Sequence, residues 1–279
     1  MTPARYRAPA AASWLGEGGS PVSSPPPVLA SHLITKHFGS VRALRGVDVA
    51  IHAGEVVGLV GDNGAGKSTL VNIFAGALQP SSGQIFVDGQ EVSFRSALEA
   101  RKRGIETVYQ DLALAPDLAV WANLFLGRER KAKGILGRLG WLDRKTMRRE
   151  AETILERTRI RIGSVLSKAG QLSGGQRQAI AVGRAVAWGS RILLMDEPTA
   201  ALGVEQQERV AELIRTVSSE GLPILLISHN LPQVHRLCER ILVLFQGQLI
   251  ADLRRDECSV EEIVSWITGS ALVRNGNGK

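Results

Sequence analysis

The segment "VVGLVGDNGAGKSTL", residues 56–70, decides the fold. An apolar run at 56–60 ends at Gly61, and helix-forming residues follow Ser68. The segment satisfies the pattern G-x-x-x-x-G-K-[ST], which requires a strand, a tight loop and a helix in that order. Glycines let the backbone N–H groups of the loop wrap a phosphate, and the helix N-terminus adds its positive end. The segment therefore predicts an α/β fold with a phosphate-binding loop.

Two side chains of this loop have the chemistry to act on a nucleoside triphosphate. Lys67 would reach the β- and γ-phosphates, and the Ser68 hydroxyl would ligate Mg²⁺. The predicted nucleotide-binding residues of the loop are Gly61, Asp62, Asn63, Gly64, Ala65, Gly66, Lys67, Ser68 and Thr69. By itself, this loop predicts an NTPase and nothing narrower.

Other short apolar runs, separated by turn signals, predict further strands of a largely parallel sheet. They are "GQIFVDG" at 83–89, "RILLMD" at 191–196, "LPILLIS" at 222–228 and the hairpin "RILVLFQGQLIAD" at 240–252, which turns at Gln246-Gly247. Short β-branched runs of this kind are typical of strands buried on both faces.

The middle of the chain predicts helices and loops only. In "DRKTMRREAETILERTR", Asp143 can cap a helix. The apolar side chains that would line one face of this helix are Met147, Ala151, Ile154 and Leu155. We therefore expect a P-loop NTPase core with a mixed or parallel sheet, interrupted by an inserted α-helical subdomain. The predicted boundaries are a disordered leader at 1–27, one domain at 28–272 with its α/β core at about 28–110 and 189–252, a helical subdomain at about 111–188, a C-terminal helix at about 259–268 and a disordered tail at 273–279.

Polar residues follow the predicted strands at the carboxyl edge of the sheet, where α/β folds bind ligands. "RILLMDEP" ends in Asp196 and Glu197, and adjacent strand residues point in opposite directions. Asp196 would hold Mg²⁺, and Glu197 would polarise a water for attack on the γ-phosphate. His229 in "LPILLISHN" could bind the γ-phosphate and hold that water. Gln110, after a predicted strand at 105–109, could sense Mg²⁺ and the γ-phosphate.

A second glycine pair opens a predicted helix in "QLSGGQRQAIAVGRA", residues 171–185. With the phosphate loop, Gln110, the acidic strand end and His229, this motif resembles the nucleotide-binding subunit of ATP-binding-cassette (ABC) transporters. "LSGGQ" at 172–176 corresponds to the family signature, and the resemblance covers about 30–270. Phe38 matches the aromatic residue that stacks on adenine, a contact that tolerates any base.

The resemblance implies that two copies work head to tail with ATP and Mg²⁺. The partner's Ser173, Gly174, Gly175 and Gln176 would clamp the γ-phosphate held by Lys67, which makes a homodimer with two composite sites. A capped helix start without a ligand is the alternative. The resemblance implies that Glu197, His229, Gln110 and Lys67 are catalytic and that Ser68, Gln110 and Asp196 are metal ligands.

Longer matches point to a subgroup within that family. "GIETVYQDLALAPDLAVWANLFLGRE", "DEPTAALGV" and "LISHNLPQV" are similar to importers of ribose, xylose, galactose and fructose-like monosaccharides. Many of those ATPases carry two cassettes, and the single cassette here resembles the fructose type. Gly203 replaces an aspartate that is common in the wider family after Leu202, a departure that bears on how the two sites communicate.

The net charge of +7 is spread unevenly. Residues 128–161 contain twelve Arg or Lys and five Asp or Glu, and the rest of the chain is close to neutral. Three interpretations of this basic block remain open: a solvated helical face, a face toward a permease or anionic lipid headgroups, or a nucleic-acid surface. A single aromatic residue, Trp141, and the lack of a nucleic-acid motif weigh against the third.

Other features bear on location. Cys238 and Cys258 match no ligand or redox spacing, which favours a reduced, cytosolic protein. No apolar run approaches the roughly 18–20 residues of a membrane span. Residues 1–27 are rich in Ala, Pro, Ser and Gly and lack the apolar stretch of a signal peptide.

The resemblance favours a transport motor over two other function classes. We expect a peripheral ATPase on the cytoplasmic face of the inner or plasma membrane, coupled to a sugar permease through the segment near 111–127 and indirectly to a periplasmic sugar-binding protein, without a nucleic-acid partner. Soluble cassette proteins of ribosomes carry paired cassettes, and those of DNA repair carry coiled-coil arms. A regulatory binder that does not hydrolyse ATP would not need Lys67, Glu197 and His229.

Overall fold

The computed structural model describes residues 25–109, 111–188, 190–200 and 202–271. Gln110, the predicted tail at 273–279 and most of the predicted leader at 1–27 lie outside them. The chain divides into two compact units. The core unit comprises residues 25–107, 190–197 and 218–271, and the helical unit comprises the described residues within 108–188 and 198–217. Within the described ranges, no helix combines the length and the apolar character needed to cross a bilayer.

A six-stranded sheet forms the centre of the core unit. Its strands are β3 (Val56–Val60), β6 (Ile105–Val108, whose last residue belongs to the helical unit), β7 (Ile192–Asp196), β8 (Ile224–Ile227), β9 (Arg240–Phe245) and β10 (Gln248–Arg254). The order is β10-β9-β3-β8-β7-β6; β9, β3, β8 and β7 run parallel, and β10 pairs antiparallel with β9. Every residue of β3 and β8 is buried, which explains their uninterrupted apolar sequences. The strands predicted at 56–60, 191–196 and 222–228 and the hairpin at 240–252 are confirmed.

A second sheet of four antiparallel strands completes the core unit. Its strands are β1 (Leu29–Phe38), β2 (Val41–Ile51), β4 (Ser82–Val87) and β5 (Gln90–Val92), in the order β2-β1-β4-β5. The assignment of 83–89 to a largely parallel sheet is therefore wrong. Asp88 and Gly89 have φ angles of 50° and 76°, and this two-residue turn returns the chain directly from β4 to β5 as a hairpin.

The helices of the core unit fill the space around these sheets. They are α1 (Lys67–Phe74), α2 (Ala97–Lys102), α8 (Leu231–Leu237) and α9 (Val260–Ile267). Leu70 and Phe74 of α1 are fully buried in one apolar cluster with side chains of both sheets. Helix α9 begins with a capping box between Ser259 and Glu262.

The helical unit contains helices and loops around its own apolar cluster. Its helices are α3 (Val120–Leu124), α4 (Gly134–Arg138), α5 (Arg144–Arg157), α6 (Gly174–Val186) and α7 (Val204–Ser219, whose last two residues belong to the core unit). Asp143 caps α5 by accepting a hydrogen bond from the Thr146 N–H, as predicted. Met147, Ala151 and Leu155 are buried against α3 and α6 residues of that cluster. The predicted apolar face of this helix is confirmed.

Replacing Gly61 should change the stability of the fold, and this effect can be measured separately from nucleotide binding. A Cβ at this position would clash with the Leu244 carbonyl oxygen, and the backbone φ of Gly61 is 154°. We expect Gly61→Ala to lower the free energy of unfolding by about 2–3 kcal/mol because backbone must move. Denaturant unfolding without nucleotide measures this effect. The control is Gly64→Ala, which also has a positive φ but no atom within 4 Å; an equal loss in both variants would contradict the clash.

Candidate functional site

The phosphate loop joins β3 to α1 and is bent by glycines with positive φ. Gly61 has a φ of 154°, and Gly66, directly before α1, has a φ of 106°. The Asp62 carbonyl accepts a hydrogen bond from the Ala65 N–H at 3.1 Å, and its carboxylate accepts one from the Asn63 N–H at 2.7 Å. Among the described residues, no side chain caps α1. A helix N-terminus without a side-chain acceptor is suited to bind a phosphate.

Lys67 lies across the phosphate loop with only 7% of its surface exposed. Its Nζ donates to the carbonyl oxygens of Gly61 at 2.8 Å and Asp62 at 2.9 Å. Burial lowers the pKa of Lys67, while the charges of Glu197, Asp196 and Asp62 act in the opposite direction. A further anion beside this ammonium would favour its charged form. The loop therefore presents a buried cation suited to a polyphosphate.

The acidic strand end has a different geometry from the one that strand alternation predicts. β7 ends at Asp196, and Glu197 follows it with a φ of 51°. The argument that adjacent strand residues point in opposite directions therefore does not apply to Glu197. Its N–H still donates to the Ile227 carbonyl of β8 at 2.9 Å, so the turn is fixed by the neighbouring strand. A non-glycine residue held at positive φ stores strain of a kind that clusters at functional sites.

The side chains of Glu197 and His229 lie in contact with each other. Glu197 Oε1 lies 3.3 Å from His229 Nε2, with the glutamate side chain 15% and the histidine 55% exposed. Within the described residues, that oxygen is buried and accepts no hydrogen bond. Burial raises the pKa of Glu197, and the nearby His229 opposes this shift. Such a carboxylate has an open acceptor position for the proton of a water.

The loop after β8 holds His229 at an exposed position. Ser228 is buried, and its Oγ accepts a hydrogen bond from the Asn230 N–H at 3.1 Å. The Asn230 side chain in turn caps α8 by accepting from the Gln233 N–H at 3.2 Å. His229 therefore stands on a fixed backbone between a strand end and a helix start, with its ring open to a ligand.

The residues available to bind Mg²⁺ fit a site completed by water and substrate phosphates better than a site made of protein ligands alone. Burial raises the pKa of Asp196, with Lys67 and His229 opposing this effect. No group of three or more His, Cys, Asp or Glu residues suited to a metal occurs in the described ranges. Mg²⁺ commonly takes one or two carboxylates and completes its shell with water and substrate phosphates. Asp196 and the exposed Ser68 hydroxyl match that donor set.

The signature forms the start of α6 in the helical unit. Ser173 Oγ accepts a hydrogen bond from the Gln176 N–H at 3.3 Å, and Gln176 Oε1 accepts one from the Ser173 N–H at 3.0 Å. This capping box fixes the first turn of the helix. The capping box engages the backbone N–H of Gln176 but not the backbone N–H groups of Gly174 and Gly175. The helix start therefore combines a hydroxyl with two glycine N–H groups.

Packing within the helical unit also restricts the space at the glycines of the signature. A Cβ on Gly174 would lie 2.9 Å from Leu202 Cδ2, and one on Gly175 would lie 2.9 Å from Gln206 Cβ. A Cβ on Gly203 would lie 2.6 Å from Gln206 Oε1. An aspartate at 203 would therefore require Gln206 to move. These contacts could not be predicted from the sequence, because no motif joins the two segments.

Two further predicted site residues stand apart from this geometry. Phe38 is the last residue of β1, and its ring is 49% exposed. Lys36 Nζ lies 5.3 Å from the ring centroid, a cation–π contact. The exposed ring suits stacking on a base. Gln110, predicted to be catalytic and to bind metal, lies outside the described residues.

Comparison with known proteins shows the family to which the chain belongs. The model of the ABC transporter family matches residues 44–200. The chain is 46% identical over 239 residues to a xylose/arabinose import ATP-binding protein of Sulfolobus acidocaldarius, covering 86% of this chain and 93% of that protein. It is 43% identical over 248 residues to a fructose import ATP-binding protein of Rhizobium meliloti, covering 88% and 95%. It spans 48% of a ribose import ATP-binding protein of Burkholderia pseudomallei, at 41% identity over 249 residues.

Solved structures share this fold over most of the chain. An ATP-binding cassette of an ABC transporter in its ADP conformation superposes with a TM-score of 0.74 at 28% identity, covering 90% of this chain and 99% of that one. A dimeric post-hydrolysis cassette bound to ADP and Pi gives 0.67 at 27% identity, covering 81% and 98%. The phosphate loop, the acidic strand end and the signature lie within a fold that these cassettes share. The chain therefore belongs to the ATP-binding subunits of the ABC transporter family.

Proposed function

We propose that this chain is the ATP-hydrolysing subunit of a monosaccharide importer, acting as a homodimer on the cytoplasmic face of the membrane. Two relatives named for the import of xylose/arabinose and fructose are matched over almost their whole length, which supports such a cargo. In this account a membrane permease and a periplasmic sugar-binding protein select the sugar. The cassette supplies the free energy of ATP hydrolysis.

The observation that carries the proposal is the convergence of one cation and three polar side chains. Glu197 Oε1 lies 3.3 Å from His229 Nε2, and burial raises the pKa of both Asp196 and Glu197 while the charges of Lys67 and His229 oppose this effect. Each comes from the end of a strand or from the phosphate loop of the core unit. This set can hold a γ-phosphate, a metal and a water together.

In the proposed reaction, Glu197 accepts a proton from a water whose oxygen bonds to the γ-phosphorus. The bond from that phosphorus to the β–γ bridging oxygen breaks, and ADP and inorganic phosphate result. Lys67 stabilises the negative charge on the phosphates, and His229 orients the water or the γ-phosphate. Mg²⁺, held by Ser68 and Asp196 together with the phosphates, would neutralise part of the charge when bound.

The signature of a second copy of the chain completes the ATP site. In our proposal, the partner's Ser173, Gly174, Gly175 and Gln176 bind the γ-phosphate that Lys67 holds. Each chain has one phosphate loop and one signature, so a two-fold dimer has two equivalent sites. The dimeric cassette bound to ADP and Pi supports this arrangement. Closing and parting of the dimer would then drive the permease.

The pH dependence of hydrolysis follows from the environment of Glu197. Its carboxylate form accepts the proton, and burial raises its pKa above the ordinary 4.5. We therefore expect kcat to fall as the pH drops through that raised value. His229 opposes the shift, so His229→Gln should move the acidic limb to still higher pH as well as lower kcat. Rates of both proteins at saturating MgATP across pH test this; a limb that stays or moves to lower pH in the variant would contradict it.

Uptake of labelled sugars tests the cargo. A strain lacking this chain should lose ATP-dependent uptake of at least one of xylose, fructose and ribose, and the native chain should restore it. The Glu197→Gln chain should not restore uptake, although it should be present in the membrane fraction. Normal uptake of all the monosaccharides tested in the deletion strain would refute this cargo class while leaving the ATPase assignment intact.

A further inference from the structure

A loop between α3 and α5 presents large apolar side chains to solvent. Within residues 130–142, the exposed fractions are 75% for Ile135, 52% for Leu136, 70% for Leu139, 64% for Trp141 and 39% for Leu142. In the described part of the helical unit, none of the five belongs to the apolar cluster. A compact loop with five such side chains leaves an unusual amount of apolar surface uncovered.

The backbone of this 130–142 loop is hydrogen-bonded within itself. The Ala132 N–H donates to the Trp141 carbonyl and the Asp143 N–H to the Arg130 carbonyl, each at 2.8 Å. The Trp141 N–H also donates to the Leu136 carbonyl at 3.0 Å. These bonds close the two arms of the loop around α4. The exposed side chains therefore belong to a loop whose backbone is held by its own hydrogen bonds.

Every charged side chain within residues 130–142 is positive, and Glu129 and Asp143 lie directly outside this segment. Residues 130–142 contain Arg130, Lys131, Lys133 and Arg138 and no Asp or Glu. Arg130 pairs with Glu150 of α5 at 2.8 Å, while Lys131, Lys133 and Arg138 are exposed. Apolar and cationic side chains are thus interleaved over one short segment, the composition of surfaces that bind anionic bilayers.

We propose that the 130–142 loop docks on an anionic lipid bilayer. Ile135, Leu139 and Trp141 enter the interfacial zone, and the Lys and Arg side chains face the lipid phosphates. A bilayer accepts divergent apolar side chains without a matching groove, and tryptophan favours its interface. Binding of nucleic acid would leave the aliphatic side chains without a role, because stacking on bases requires aromatic rings. This inference goes beyond the proposed function, since neither ATP hydrolysis nor sugar uptake requires it.

Flotation of the full chain with lipid vesicles tests the proposal. The vesicles contain phosphatidylcholine alone or phosphatidylcholine with phosphatidylglycerol. We expect the native chain to bind only the anionic vesicles, and less strongly as salt rises. Ile135→Glu/Leu139→Glu should lower the partition coefficient at least about tenfold. The matched control Leu98→Glu, at an exposed apolar position of α2, should bind like the native chain. ATPase rates of all three proteins should agree.

Two further measurements assign the effect to this loop. Lys131→Glu/Lys133→Glu should weaken binding to anionic vesicles, whereas Lys102→Glu in α2 should not. Tryptophan emission should shift to the blue with anionic vesicles in the native chain, and this shift should be lost in Trp141→Phe. These readouts are independent of nucleotide and sugar, so they can fail while the proposed function stands.

Several outcomes would overturn the proposal. It is overturned if the native chain floats with neither type of vesicle, or if the Ile135→Glu/Leu139→Glu chain binds as the native chain does. Flotation only with native membranes would assign the loop to a membrane protein. A shift of Trp141 emission with protein concentration, without lipid, would assign it to a second copy. Salt-sensitive retention on duplex DNA that the double variant loses would assign it to nucleic acid.

Discussion

Replacing Glu197 by glutamine is expected to lower kcat for ATP hydrolysis about a thousandfold, since an amide cannot accept the proton of the attacking water. Affinity for ATP should be preserved, because the variant keeps the volume of the side chain and the phosphate loop is untouched. The fold should also be preserved. Burial already disfavours the charged form of Glu197, as its raised pKa shows, so a neutral side chain is tolerated there.

Phosphate release at saturating MgATP and equilibrium binding of ATP measure these two quantities separately. Glu152→Gln, at an exposed acid of α5, is the matched control and should hydrolyse ATP at the native rate. Because ATP then remains bound, the Glu197→Gln chain should accumulate as a dimer in MgATP. A Glu197→Gln chain that keeps a large part of the native rate would show that another group takes the proton.

Replacing Ser173 by aspartate is expected to lower hydrolysis at least about a hundredfold by acting on the nucleotide of the partner. Aspartate caps a helix as well as serine does, so α6 should keep its first turn. Its carboxylate, however, would stand where we propose the partner's γ-phosphate to bind, and like charges at close range repel. Affinity of the single chain for MgADP should be unchanged, because the phosphate loop of that chain is intact.

The control for this variant is Ser173→Thr, which keeps the hydroxyl and the helix cap. It should retain most of the native rate, while Ser173→Asp loses it. Far-UV circular dichroism and the midpoint of thermal unfolding verify that both chains fold. Hydrolysis at the native rate by both variants would remove Ser173 from the site, whereas an equal loss of hydrolysis in both would point to the helix start and not to the added charge.

The sequence predicted the parts of the fold that depend on local pattern. The strand 56–60, its glycine loop and the following helix form one motif whose context is fixed by chemistry. The amphipathic helix after Asp143 shows its period and its cap in the sequence. β1 and β2 were not predicted, because their polar residues interrupt the apolar runs. The run at 83–89 was placed in the wrong sheet, because burial alone does not distinguish parallel from antiparallel pairing.

The candidate site was predictable in its residues but not in its geometry. Lys67, Asp196 and Glu197 stand out from their motifs, yet the φ of 51° at Glu197 depends on a hydrogen bond to β8, which lies far away in the chain. The packing of Leu202 and Gln206 against the signature glycines likewise joins distant segments. Such contacts arise from tertiary packing, which no local sequence pattern records.

We propose that one chain alone does not hold a complete ATPase site. The most direct measurement is the rate of hydrolysis per chain at saturating MgATP as the protein is diluted. We predict that the rate per chain falls with concentration once the dimer dissociates, and that adding the catalytically inactive Glu197→Gln chain, whose signature is intact, restores it. A rate per chain that stays constant down to the lowest concentration, where the protein is shown to be monomeric, would contradict the claim.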